Sequence, residues 1–164
     1  MKGAKFVVGL SDGLPLAALN LVCKVRANDL NGSLTILDGH GLPPGGFISP
    51  HTHSREDECF VVLEGEFHYI VGDEMGTAST GSYILKPRGL PHAFCNKGTV
   101  PARALMIFAP SGVEAVFQGL ADLSAKGMDR DGERKARAIL AARYGVTFHD
   151  ELIPEYRDRF GLGQ

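Results

Sequence analysis

The sequence has no tryptophan and only three cysteines. It also contains no apolar run of the length that crosses a bilayer. Cys23, Cys59 and Cys95 form an odd set without a recognisable spacing, which argues against a disulfide framework. Charge of one sign is lacking as well: 17 Lys and Arg stand against 19 Asp and Glu, a formal net charge of −2. No basic stretch suggests a phosphate-tracking surface, so neither nucleic acid nor an anionic membrane is an expected partner. Behind Lys2 and Lys5, the run Phe6-Val7-Val8-Gly9-Leu10 is too short for the apolar core of a secretory leader, and Ser11, Asp12 and Gly13 follow at once. The expected location is cytoplasmic.

What is present fits one globular domain. The 164 residues are 44% hydrophobic and 22% charged, enough to bury a real core. The 21 glycines and nine prolines are concentrated in the first two-thirds. There, short apolar segments alternate with turn clusters such as Asn31-Gly32, Pro43-Pro44-Gly45-Gly46, Gly72-Asp73 and Pro87-Arg88-Gly89. Strands are expected over 21–27, 33–37, 58–63, 66–71, 82–85, 92–95 and 102–108. Phe67, Tyr69 and Val71 alternate with His68 and Ile70, the period of a strand with one buried face.

After Pro110 the period changes. Ser111 with Glu114 three residues on is a capping-box signature, and Val113, Val116, Phe117, Leu120 and Leu123 then recur at helical spacing up to Gly127. A second helix is expected from near Asp131 to Arg143, with Gly145 as its stop. The expected organisation is a barrel over 1–110 and a helical extension over 111–164 packed on the same domain. Element order alone reads as α+β.

The chemistry concentrates in two stretches. His51 and His53 are two apart, so in an extended segment both imidazoles leave the same face, with α-carbons roughly 6–7 Å apart. That suits two nitrogens converging on one ion at about 2.0–2.1 Å each if it is zinc. Asp57 and Glu58 follow. Glu58 shares its strand face with Phe60 and Val62, which would line a barrel interior, and so is the better ligand than Glu56 or Asp57. In the second stretch the Pro87-Arg88-Gly89-Leu90-Pro91 turn redirects the chain and His92 opens the next strand, placed to close the coordination sphere.

These stretches resemble the two motifs of the cupin superfamily. Gly45, His51, His53, Glu58 and Gly65 fill the first, and Gly81, Pro87, Gly89, His92 and Asn96 fill the second, each at the expected spacing. Ser82 stands where many relatives carry Asp. The resemblance covers about 21–110. It implies an all-β fold, a double-stranded β-helix (jelly-roll) barrel, here with two short C-terminal α-helices. The extension looks like that of small single-barrel, quercetin-dioxygenase-like cupins, which commonly form homodimers. The apolar Val61 and Leu63, on the opposite face from Phe60, also ask for a partner or the C-terminal helices.

Three imidazoles and one carboxylate suit one divalent transition metal, Fe, Mn, Ni, Co or Zn, and ligand type alone does not choose among them. On an octahedral ion, four protein ligands leave two positions, enough for both oxygens of an enediol, a catechol or a 3-hydroxyflavone. Glu58, with a second oxygen free, is the candidate general base. The expected function is a metal-dependent oxygenase of such a small-molecule substrate. The alternatives are a non-oxidative cupin (isomerase, lyase or decarboxylase) and a small-molecule binding protein. His40, His68 and His149 read as surface residues, Cys59 and Cys95 as packed thiols. Phe47, Phe60, Phe94, Met106 and Phe108 read as barrel core, with the four phenylalanines as possible pocket walls.

Overall fold

A computed structural model describes residues 6–163, so Lys2 and Lys5 of the N-terminal segment lie outside the described residues. Its strands are β1 (Leu14–Leu16), β2 (Leu21–Val25), β3 (Thr35–Leu42), β4 (Phe47–His53), β5 (Asp57–Glu64), β6 (Glu66–Val71), β7 (Glu74–Ser79), β8 (Tyr83–Lys86), β9 (His92–Cys95), β10 (Ala102–Ala109) and β11 (Val146–Phe148). Three α-helices follow the barrel: α1 (Glu114–Ser124), α2 (Arg130–Arg143) and α3 (Ile153–Phe160). The strands form a six-stranded sheet, β1-β2-β3-β10-β5-β8, and a five-stranded sheet, β11-β4-β9-β6-β7. Strand pairing is antiparallel in both sheets. This is a double-stranded β-helix with short C-terminal helices.

Period-two patterns become sheet faces, but β6 is not buried on one face alone: Phe67 faces the core while Ile70, of the other parity, is buried against Tyr156 and Phe160. Along β10, Ala102, Ala104, Met106 and Phe108 are buried while the residues between them are partly exposed. Between β6 and β7 the Gly72-Asp73 turn joins Val71 to its partner Glu74, with Gly72 at φ 56°. The inward faces supply a core built on Leu37, Phe60, Val62, Phe67 and Phe94. Gly65 turns the chain between β5 and β6 at φ 70°, where a Cβ would stand 3.0 Å from the Pro101 carbonyl. The last glycine of the first motif is thus a packing requirement.

The structure adds elements that periodicity did not signal. β4 contains Pro50, which cannot donate to a ladder, and β7 is Glu-Met-Gly-Thr-Ala-Ser, with little apolar character. β11 belongs to the C-terminal extension, yet it pairs with β4, Val146 opposite His53 and Phe148 opposite His51. The expected count of two helices becomes three, because α3 lays Tyr156 and Phe160 against Ile70, Ala93 and Cys95 on the outer face of the five-stranded sheet.

The start of α1 differs from expectation. Ser111 does not cap α1. Instead the Glu114 carboxylate accepts from the backbone N–H groups of Gly112 and Ala27, both at 2.9 Å, and from the Thr35 hydroxyl at 2.5 Å. It ties helix to barrel more than it closes a turn. α2 begins one residue before Asp131, capped by Asp129, whose side chain accepts from the Gly132 N–H at 2.8 Å. Among the described residues no helix is long and apolar enough to cross a membrane.

Candidate metal centre

Two strands of one sheet and one of the other bring the four motif residues together. In the five-stranded sheet His51 on β4 lies opposite His92 on β9. His53, two residues on, points to the same side, and both histidines of β4 are buried. Glu58 enters from β5 in the facing sheet. The imidazole centroids are 4.4 Å apart for His51 and His92, 5.3 Å for His51 and His53, and 5.6 Å for His53 and His92. One ligand atom from each of the four residues falls within 4.8 Å of the others.

The hydrogen bonding orients the donors. His51 Nδ1 lies 2.8 Å from the Ser49 carbonyl and His92 Nδ1 3.1 Å from that of Leu90. A carbonyl only accepts, so each Nδ1 carries the proton and each Nε2 keeps its lone pair for the centre. Burial pushes the His51 imidazole well below its ordinary pKa, helped by His92 and His53. Burial also lowers His92, against the pull of Glu58. Neutral imidazole is the form that ligates. Burial alone would raise the Glu58 carboxyl, but the Lys86 ammonium and the neighbouring His92 outweigh it and hold the carboxyl below the usual carboxylate range.

These atoms fit a cation. Glu58 Oε2 stands 3.1 Å from His92 Nε2 and 3.8 Å from His53 Nε2. All three atoms are buried without a hydrogen-bond partner. Orphaned polar atoms are costly in an interior, and one ion accepting lone pairs from all of them would remove that cost. The cluster could hold a metal. Which metal is not decided by an N3O donor set.

The loops around the centre are braced. Asp57, weighed as an oxygen donor, is exposed and turns away. It accepts from the Arg88 backbone N–H at 2.9 Å and from Arg88 Nη2 at 2.6 Å, and this guanidinium holds the Asp57 carboxyl down to about 2. The Gly89 N–H donates to the His53 carbonyl at 2.8 Å, so the turn before His92 is tied to the strand carrying His53. Asn96 closes the second motif structurally. Fully buried, it donates to the Leu42 and Val100 carbonyls, each at 2.8 Å, and accepts from the Gly98 N–H at 2.8 Å.

Two buried charges escaped the sequence reading. Glu56, set aside there, is 2% exposed, with Oε2 3.7 Å from His53 Nδ1. Lys86 is 2% exposed, its Nζ 3.2 Å from Glu58 Oε1, and burial lowers the ammonium to about 8 against the pull of Glu58. The second oxygen of Glu58 is therefore not free, as the general-base reading required. Of the other histidines, His40 is exposed. His68 and His149 are half-buried, and His149 Nε2 lies 2.7 Å from the Thr52 hydroxyl oxygen.

A cavity of about 630 Å3 adjoins the site, lined on its inner side by His51, His53 and Glu58. Phe47, Phe60 and Phe94 contribute walls as expected, and α1 adds Val116, Phe117 and Leu120. Phe108 is different. It is fully buried behind the cavity, with ring centroids 5.5 Å from His53 and 5.8 Å from Phe117. Arg137 of α2 stands at the margin, over the Phe148 ring and paired with Asp150 at 2.6 Å.

The fold is a double-stranded β-helix, and its convergent His3Glu cluster could hold a metal ion. Residues 40–108 match the Cupin domain family. Among curated relatives, it is 37% identical over 107 residues to germin-like protein subfamily 2 member 2 of Arabidopsis thaliana, covering 62% of this chain and 48% of that one. It is 34% identical over 89 residues to Nectarin-1 of Nicotiana plumbaginifolia, covering 49% and 36%. The chain thus spans about half or less of the length of these relatives. Among solved structures, KdgF from Halomonas sp. shares the fold at 18% identity and TM-score 0.51, over 57% of this chain and 80% of that one. A point mutant of Bacillus subtilis oxalate decarboxylase OxdC does so at 22% and 0.50, over 56% and 25%.

Proposed function

We propose that the chain is a metal-dependent cupin enzyme, an oxygenase of a small enolic, catecholic or flavonol-like molecule, with His51, His53, Glu58 and His92 as the metal ligands. The observation that carries this reading is the set of orphaned, buried donor atoms opening onto an apolar cavity. A bound divalent ion would act as a Lewis acid, lowering the pKa of a substrate hydroxyl and fixing its orientation. The chain's own residues supply the rest. Phe47, Phe60 and Phe94 favour a flat, partly apolar body. Glu58 would take a substrate proton through Oε1 once that oxygen parts from Lys86, whose ammonium otherwise keeps the carboxylate an anion and in place. The finer likeness to quercetin-dioxygenase-like cupins is part of this proposal, since the curated relatives are germin-like.

The test begins with elemental analysis of protein purified without chelators, which should give close to one transition metal per chain. His92→Ala should lower occupancy strongly and Glu58→Ala less, because three imidazoles remain. Full occupancy in His92→Ala would remove His92 from the site. With Fe, Mn, Ni or Co loaded, a 3-hydroxyflavone or catechol should consume oxygen in proportion to substrate lost, and Glu58→Gln should slow turnover more than it weakens binding. Binding without oxygen uptake under every metal would hand the site to the non-oxidative or binding reading.

A further inference from the structure

Lys86 is the one lysine whose side chain is sealed among the described site elements, at 1% side-chain exposure. The β5–β8 register sets it directly opposite Glu58. Its Nζ stands 3.2 Å from Glu58 Oε1, 3.0 Å from the centroid of the Phe60 ring and 4.5 Å from that of Phe94. A charge so placed is costly, and an apolar side chain of similar volume would fill the space more cheaply unless the ammonium has a task. The two carboxylate oxygens are divided. Oε1 faces Lys86, and Oε2 faces His92 Nε2 at 3.1 Å and His53 Nε2 at 3.8 Å.

We propose that Lys86 is a positioning residue that holds Glu58 by Oε1, so that the carboxylate offers a single oxygen, Oε2, to an ion among the three imidazoles. The inference rests on the metal-site reading above. Carboxylates ligate through one oxygen or two. A two-oxygen grip would consume a further coordination position, one that a chelating substrate needs. The Phe60 and Phe94 rings also give the ammonium π-faces, so it is anchored without a second anion competing for it. The same positive charge opposes a dication nearby, so tight metal binding is traded against open positions.

Cobalt(II) titration of the full chain, followed by visible absorption, tests this. Lys86→Met should change the energy and intensity of the Co(II) bands, because Glu58 is released to bind through both oxygens. It should also tighten Co(II) binding by about tenfold. In a Glu58→Ala background the same substitution should leave the spectrum unchanged. Lys86→Gln, which keeps a polar tip without the charge, should tighten binding and keep a spectrum near that of wild type; it carries the test if the methionine variant does not fold. An unchanged spectrum in folded Lys86→Met, an equal change without Glu58, or weaker binding in Lys86→Gln would overturn the proposal. Wild-type protein that binds no Co(II) would instead overturn the metal reading, and this inference with it.

Discussion

Single polar residues decide how this barrel is held, and the partly buried Glu114 shows it away from the candidate metal centre. Its carboxylate takes hydrogen bonds from Ala27, Thr35 and Gly112, joining the start of α1 to two separate parts of the barrel. Burial raises its pKa, but these bonds outweigh burial and hold it below the ordinary value. A depressed folded-state pKa adds stability above the unfolded value, roughly 4.3, and that stability fades as pH falls through the folded one. Glu114→Gln should therefore lower stability by about 1–3 kcal/mol at pH 7, and the gap from wild type should shrink below about pH 4. Thermal denaturation across that range checks it, and a gap that stays constant would discard the linkage. Asn96 makes a companion case. Asn96→Ala leaves two carbonyls and an N–H without partners, so a loss of about 3 kcal/mol in urea denaturation is expected. At this scale the sequence shows the four motif residues because their spacing is specific. It hides Lys86 and Glu56 because a charge at a strand end reads as solvated. Parity held the missing signal for Lys86, since Ile84 is buried and Tyr83 and Leu85 are exposed on the same strand. Glu56 lies in the turn before β5, where no period applies.

Elements show the same division. β5, β6, β9 and β10 were legible as alternating or continuous apolar runs between turns. β4 was not, although it carries two of the four histidines, because Ser49 and Pro50 interrupt any strand pattern. β11 was invisible for another reason. Three residues have no period of their own, and the strand exists only because β4 presents an edge to it. Ser54 donates to the Gly145 carbonyl and His149 to that of Pro50, which makes Thr147 and Thr52 the hydrogen-bonded pair between them. Thr147→Pro should remove that bond, costing about 1–3 kcal/mol, while the exposed side chain itself should matter little in Thr147→Ala. Because Val146 and Phe148 flank His53 and His51, the proline variant should also weaken metal binding by about tenfold. Calorimetric titration of the two variants separates these effects. Equal affinities would mean that β11 only covers an edge.

At the scale of the whole molecule, occupancy of the centre and stability of the fold are one equilibrium. The donors come from both sheets, so an ion held among them would bind the folded chain and have no comparable site in the unfolded one. At a free metal concentration of 100 times Kd the gain should be about 2.7 kcal/mol. A chelator should lower Tm accordingly, and His51→Ala and His92→Ala should lose most of that response.

Assembly is the second consequence at this scale, and we expect a homodimer in solution. β8 ends the six-stranded sheet, leaving a strand edge that needs covering. Its outward residues Tyr83 and Leu85 are each 67% exposed, opposite Val61 and Cys59 of β5. The outer face of the five-stranded sheet has α3 laid on it, with Tyr156 and Phe160 buried there. Val61 and Leu63 are partly buried, so the apolar row needing a partner lies nearer the edge than the sequence pattern implied. An apolar row beside an open strand edge favours pairing with the same row of a second copy, since both defects are then covered at once. Light scattering at micromolar concentration should give twice the chain mass. Replacing both Tyr83 and Leu85 with lysine should halve that mass while leaving the circular dichroism unchanged, because neither side chain serves the core. A wild-type chain that runs as a monomer, or a doubly substituted one that still pairs, would move the interface elsewhere or remove it.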